Sequence, residues 1–163
     1  MSARRLFAVV AVATLLIPNA MLVGSAAFSL TAAAQPAATA EVRLNPNTAT
    51  EAQLLAVQQL TPDLVALIVR SRPFATVGDF NRALSGKLGA EQIRELYTVL
   101  FVPINLNRAS RSDIMLIPGM TARMAHEFEE YRPYRNIDQF NREIGKYVNA
   151  TEVARLRSYV TLN

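Results

Sequence analysis

The chain has 163 residues, 51% of them hydrophobic, and its 17 basic and 13 acidic side chains give a formal net charge of +4. It contains no cysteine, so disulfides are excluded and a folded domain must be held together by its hydrophobic core. With one histidine, no Ser-His-Asp set and no phosphate-binding glycine-rich loop, an enzyme is not expected, nor is a cofactor, a metal or a small-molecule substrate.

Residues 1–34 have the pattern of a secretory signal peptide. Two arginines near the start precede a run without charge from Leu6 to Ala40, and Ala32-Ala33-Ala34 offers the small residues of a cleavage site. The alternative is a retained membrane anchor over residues 6–30, a stretch long enough to span a bilayer. We expect cleavage and an exported, periplasmic protein, which would contact the membrane only if this segment were retained. Residues 35–43, rich in Ala, Pro and Thr, are expected to form a linker.

The rest of the chain is an internal repeat. Residues 44–103 align with residues 104–163 without a gap, at a constant offset of 60. The matching positions include Asn45 and Asn105, Asn47 and Asn107, Ala49 and Ala109, Thr61 and Thr121, Arg72-Pro73 and Arg132-Pro133, Phe74 and Tyr134, Phe80 and Phe140, and Leu96 and Leu156. A register kept over such a span indicates a duplication and predicts two domains, here called the first repeat and the second repeat. The recurring aromatic residues are interpreted as core anchors.

Each repeat is predicted to form about four short helices. Their expected N-caps are Thr50, Thr61, Thr76 and Gly89 in the first repeat and Ser110, Thr121, Asn136 and Asn149 in the second. Gln53 and Asp113 occupy the capping-box positions of the two first helices. The Arg-Pro pairs should end the second helices, because a residue before proline is pushed out of the α region. No segment alternates with period two for long enough to form a sheet, so the expected class is all-α.

The segment from Ile117 to Thr121 is the centre of the functional prediction. It joins two predicted helices by a tight turn containing Gly119, which predicts a helix-hairpin-helix. Such a turn leaves backbone N–H groups unpaired at the positive end of a helix, where they suit an anion such as a phosphate. The fold expected for the whole is therefore two tandem compact helix-hairpin-helix domains.

These motifs resemble a known family. Asn47-Thr48-Ala49-Thr50 and Asn107-Arg108-Ala109-Ser110, each followed by a helix, a turn and a helix ending at Arg-Pro-aromatic, are similar to the ComEA-type helix-hairpin-helix family of competence proteins. The likeness covers residues 44–163, twice over. Members of that family are exported and bind double-stranded DNA without sequence preference. The resemblance therefore implies two such domains in tandem and a role related to DNA uptake.

The hairpins of that family carry two glycines and a basic residue just after them. The second repeat keeps the first glycine as Gly119, has Thr121 at the second position and supplies Arg123 as the basic residue. The corresponding residues of the first repeat are Gln59, Thr61 and Asp63. The expected phosphate-binding groups are thus the backbone amides of Gly119, Met120 and Thr121 and the side chain of Arg123, with Arg108, Arg111 and Arg135 as auxiliary charge. The second repeat has nine basic and seven acidic residues, a small excess for a DNA-binding protein.

The alternative is an envelope protein–protein interaction module that has kept the fold and lost DNA binding. Six consecutive apolar residues, Leu64 to Val69, lie in a helix that would normally show a polar face. Leu64, Ala66 and Leu67 are therefore the candidate interface residues. Elsewhere, His126 lies among glutamates and is interpreted as part of a solvated helix face rather than a metal ligand. Met115, Met120 and Met124 are interpreted as gap-filling core.

Overall fold

The computed structural model describes residues 43–162. The predicted signal peptide and residues 35–42 of the predicted linker lie outside them. The helices are α1 Glu51–Leu55, α2 Pro62–Arg70, α3 Val77–Ser85, α4 Ala90–Leu96, α5 Arg111–Ile114, α6 Ala122–Glu130, α7 Ile137–Ile144 and α8 Ala150–Arg157, and the strands are β1 Ile104–Asn105 and β2 Val160–Thr161. This part of the chain is mostly helical, which confirms the coarse fold class. Between residues 43 and 162, no helix combines the length and the apolar character needed to cross a membrane.

Every helix begins at the N-cap that the sequence predicts. Seven of these caps have a side-chain oxygen that accepts a hydrogen bond from the amide three residues further on. The eighth, Gly89, has no such oxygen, and the Gln92 side chain accepts from its amide instead. Helices α2 and α6 end just before Arg72-Pro73 and Arg132-Pro133, both of which have cis peptide bonds. Local hydrogen bonding thus determines where the helices start.

A small parallel pairing is the one addition to the all-helical expectation. Ile104 pairs with Val160 and Asn105 with Thr161, while an isolated bridge joins Leu44 to Leu100. In each repeat the first residues therefore meet the last ones. Two paired residues are too few to produce a period-two pattern, which is why the sequence gives no sign of them.

The recurring aromatic residues form the core of each repeat, as predicted. The Phe74 and Phe80 rings meet edge to face with centroids 5.0 Å apart. In the second repeat the equivalent rings of Tyr134 and Phe140 lie 5.8 Å apart. All four side chains are buried. Burial at equivalent positions of both repeats accounts for the aromatic residue at each of them.

The recurring asparagine and arginine residues hold the chain together rather than facing a ligand. The Asn47 side chain donates to Phe74 O at 2.9 Å and accepts from Phe74 N at 2.8 Å. Arg72 donates to Ala49 O at 2.7 Å. The second repeat has the same contacts, between Asn107 and Tyr134 and between Arg132 and Ala109. These bonds fasten the start of each repeat to the segment after its second helix.

The two repeats meet where α3 approaches α5. The Asp113 carboxylate accepts a hydrogen bond from Gly78 N at 3.0 Å and another from the Ser110 hydroxyl at 2.7 Å, and the residue is only 8% exposed. A Cβ at position 78 would lie 2.9 Å from Asp113 Oδ1, so a larger residue there would have to displace this carboxylate. The capping box expected at Asp113 is replaced by this contact between repeats, whereas Gln53 closes its box as expected.

Candidate functional site

The turn between α5 and α6 is closed by a backbone hydrogen bond and leads directly into the N-cap of α6. Gly119 has φ +76°, in the left-handed region that residues other than glycine rarely adopt. Met120 N then donates to Ile117 O at 3.0 Å, which closes the turn. Thr121 caps α6 by accepting from Met124 N at 3.1 Å. The predicted trio Gly119, Met120 and Thr121 is therefore contiguous at the start of a nine-residue helix.

One of the three backbone amides predicted to bind phosphate at this turn is already hydrogen-bonded. The Met120 amide is used by Ile117 O, so it is not available to a ligand. The amides of Gly119, Thr121, Ala122 and Arg123 have no hydrogen-bond acceptor among residues 43–162. Because these groups lie at the positive end of α6, they favour an anion.

Arg123 gives this helix start a positive charge. The residue is exposed in the first turn of α6, where no acidic side chain is present. It makes no ion pair within the described part of the chain. In the first repeat, Asp63 lies in the first turn of α2 and is also exposed. The two helix starts therefore differ in the sign of the charge that they would present to a phosphate.

The auxiliary arginines of the prediction are dispersed. Arg111 pairs with Glu129 at 2.7 Å and also donates to Ala122 O at 2.9 Å, so it ties α5 to α6. Arg108 is exposed and lines a depression of about 350 Å³ at the contact between repeats, with Asp113 nearby. Arg135 is exposed in the α6–α7 connection. Arg111 also reaches the start of α6 but is engaged there by Glu129 and Ala122, so Arg123 is the predicted cation at this helix start that makes no ion pair within residues 43–162.

Arg155 is a residue of this site that sequence reasoning missed. Its guanidinium donates to Pro118 O at 2.8 Å and holds both oxygens of Glu152, at 2.7 and 2.6 Å. The hydrogen bond from Arg155 lowers the pKa of the Glu152 carboxyl, and the same bond raises the pKa of Arg155. Glu95 and Gln92 occupy the equivalent positions of the first repeat. The difference in charge between Arg155 and Glu95 is therefore the sequence signal that could have pointed to these contacts.

A groove of about 770 Å³ runs along the first-repeat side of the turn. One wall is the stretch from Met115 to Met120, and the other comes from α3, α4 and the connection between them. Met115 is 42% exposed, so its interpretation as core is wrong. Met120 and Met124 are half-buried against the core, as predicted.

The candidate interface residues of α2 differ in exposure. Leu64 is only 7% exposed and belongs to the hydrophobic core, together with Val65 and Ile68. Ala66 is exposed and Leu67 is half-buried; both line a depression of about 690 Å³. An interface on this helix would therefore use Ala66 and Leu67 rather than Leu64.

His126 is exposed and lies 3.9 Å from Glu130 in the next turn, in agreement with a solvated helix face. No group of three or more His, Cys, Asp or Glu side chains suited to a metal ion occurs in the described range. The chain matches no protein-family model, no curated protein and no solved structure.

Proposed function

We propose that this chain is an exported, non-catalytic helix-hairpin-helix protein that binds double-stranded DNA weakly and without sequence preference. The observation that carries the proposal is the contrast between the two turns. The turn before α6 combines a left-handed glycine, open amides and the exposed Arg123, whereas the helix start of α2 carries Asp63. A phosphate oxygen can accept from the open amides of α6 while Arg123 neutralises its charge.

The proposal places DNA binding in the second of two tandem domains. Support for the tandem organisation comes from the pairs of Asn and Arg contacts that recur at an offset of 60. Export is proposed from the signal-like residues 1–34 and would be checked by sequencing the N-terminus of the mature protein. A single site and a small excess of charge would limit the protein to about two or three phosphate contacts. The logarithm of the binding constant should then fall with the logarithm of salt with a slope of about −2 to −3.

Charge reversal at Arg123 tests the proposal. Fluorescence anisotropy of a labelled duplex, titrated with the full chain at several salt concentrations, gives the affinity and the salt slope. Arg123→Glu should abolish binding and leave the unfolding temperature nearly unchanged, because the residue is exposed and a glutamate is acceptable at a helix start.

Arg70→Glu provides the matched control. It makes the same change of charge at an exposed position at the end of α2, outside the proposed site. This variant should retain most of the affinity for the duplex. Equal binding by parent and Arg123→Glu, or equal losses in both variants, would show that the α6 start is not the site.

The second candidate is an envelope protein–protein interaction module. The observation that favours it is the apolar outer side of α2, where Val69 is 37% exposed and Ala66 is exposed as well. Ala66→Glu should then abolish cross-linking to a partner without unfolding the protein. Leu64→Glu cannot serve as this test, because it would place a charge in the core. Unchanged cross-linking by Ala66→Glu would remove this candidate.

A further inference from the structure

The groove beside the α5–α6 turn has a composition that the proposed phosphate contacts do not use. We propose that it binds an unpaired nucleobase, so that this chain holds single-stranded DNA more tightly than duplex DNA. The inference rests on the proposed function, because the phosphate next to that base would lie on the turn itself. Gly119 and Met120 belong both to the turn and to the wall of the groove, which makes the two surfaces continuous.

The groove lining contains both anion-binding and apolar groups. Gly119, whose amide has no acceptor in the described part of the chain, lies at one side, and Arg94 lies on the opposite side. Between them the lining includes the apolar residues Leu88, Ile93 and Leu116. A single strand likewise presents both phosphates and flat bases. A duplex keeps its bases stacked inside and cannot use such a groove.

Charge favours an anionic occupant over an apolar peptide or a second copy of the chain. Arg94 is the only charged residue among those that line the groove in the described part of the protein. Its partner is Glu91 at 2.7 Å, and both side chains are more than half exposed. Exposed ion pairs of this kind contribute little, so the guanidinium can turn to a phosphate at small cost.

Met115 and a polar pair provide the contacts for the base. Met115 is exposed on the groove, and a thioether makes favourable contacts with an aromatic ring. Asn81 and Ser85 supply polar atoms for a base edge. The Asn81 amide reaches the Ser85 hydroxyl at 3.4 Å, a long hydrogen bond that a base can replace. Tyr97 is fully buried, with its hydroxyl on Asn81, and serves as floor rather than as a stacking surface.

Anisotropy titrations of the full chain test the proposal with two labelled probes. These are a short oligothymidylate and a duplex with the same number of phosphates, measured at the same salt concentration. The parent should prefer the single strand. Met115→Ala should weaken binding of the strand by about threefold to tenfold and leave duplex binding unchanged. Leu55→Ala, at an exposed apolar position of α1 outside the groove, is the control and should change neither.

A fluorescent adenine analogue placed within the strand gives an independent readout of the base. Its emission should change when the parent binds and should change less with Met115→Ala. Preference of the parent for duplex, or equal losses on both probes, would overturn the proposal. Self-association in sedimentation that Met115→Ala abolishes would also overturn it, since the groove would then be a contact between copies.

The failure of this inference is distinguishable from that of the proposed function. If Arg123→Glu weakens duplex binding while Met115→Ala leaves the strand affinity unchanged, only the groove proposal falls. If Arg123→Glu leaves duplex binding intact, the phosphate site is wrong, and the groove proposal falls with it.

Discussion

Replacing Gly78 with alanine should destabilise the fold, although alanine is the better helix former. Gly78 lies in the first turn of α3, where alanine would gain at most about 1 kcal/mol from helix propensity. The added Cβ would lie 2.9 Å from Asp113 Oδ1 and force apart the hydrogen bond between repeats. A hydrogen bond to a charged group contributes about 1.5–3 kcal/mol. The expected net loss is therefore about 0.5–2 kcal/mol. Each kcal/mol should lower Tm by roughly 4 °C.

Thermal unfolding followed by circular dichroism measures this loss. The matched control is Gly86→Ala at the other end of α3, where a Cβ meets nothing within 4 Å and φ is −87°. That variant should be slightly more stable than the parent, by about 0.4–1 kcal/mol. In the Asp113→Ala background the cost of Gly78→Ala should shrink, because the clashing oxygen is gone. If Gly78→Ala unfolds at or above the parent temperature, the contact between Gly78 and Asp113 does not stabilise the fold.

Two further predictions concern contacts inside the repeats. Asn47→Ala loses both hydrogen bonds to the Phe74 backbone and should cost about 1–3 kcal/mol in urea unfolding, whereas the neighbouring exposed Thr48→Ala should change stability by less than about 0.5 kcal/mol. Equal effects would show that the Asn47 contacts do not stabilise the repeat. The hydrogen bond from Arg155 lowers the pKa of Glu152 in the folded state, so ionised Glu152 adds to the free energy of unfolding. This added stability is complete above the ordinary glutamate pKa of about 4.3 and is lost as pH falls through the lower pKa of the folded state. Urea unfolding near neutral pH and at about pH 3 should show the stability gap between parent and Glu152→Gln closing in acid, and a gap that widened there would contradict the assignment.

Much of the local structure was predictable because its causes lie close together in the chain. An N-cap and the amide that it accepts from are three residues apart, so Thr50 or Thr121 can be recognised without knowing the fold. The duplication is a second source of prediction, because equivalent positions should have equivalent roles. Since Phe80 and Phe140 recur at the same place in both copies, a shared core role is the simplest interpretation, and both are buried. The tight turn at Gly119 was predictable as well, but its positive φ was not, since Gly86 and Gly89 also lie between two short helices and have negative φ.

The surroundings of the candidate site were decided by contacts between distant residues. Arg155 holds the turn through Pro118, 37 residues away, and Asp113 reaches Gly78 across 35 residues. Neither pairing follows any local periodicity. Met115 is apolar, which favours a place in the core, but it lines the groove and is exposed.

The sequence by itself thus determined the helix starts, the repeat and the residues of the turn. Tertiary structure decided which amides stay open, which arginines are already engaged and which apolar side chains face solvent. The physical reason is that capping and periodicity act over one or two helical turns. Burial and long-range hydrogen bonding, by contrast, depend on how the two repeats pack, and a given arginine such as Arg111 can be free or engaged with the same neighbours in sequence.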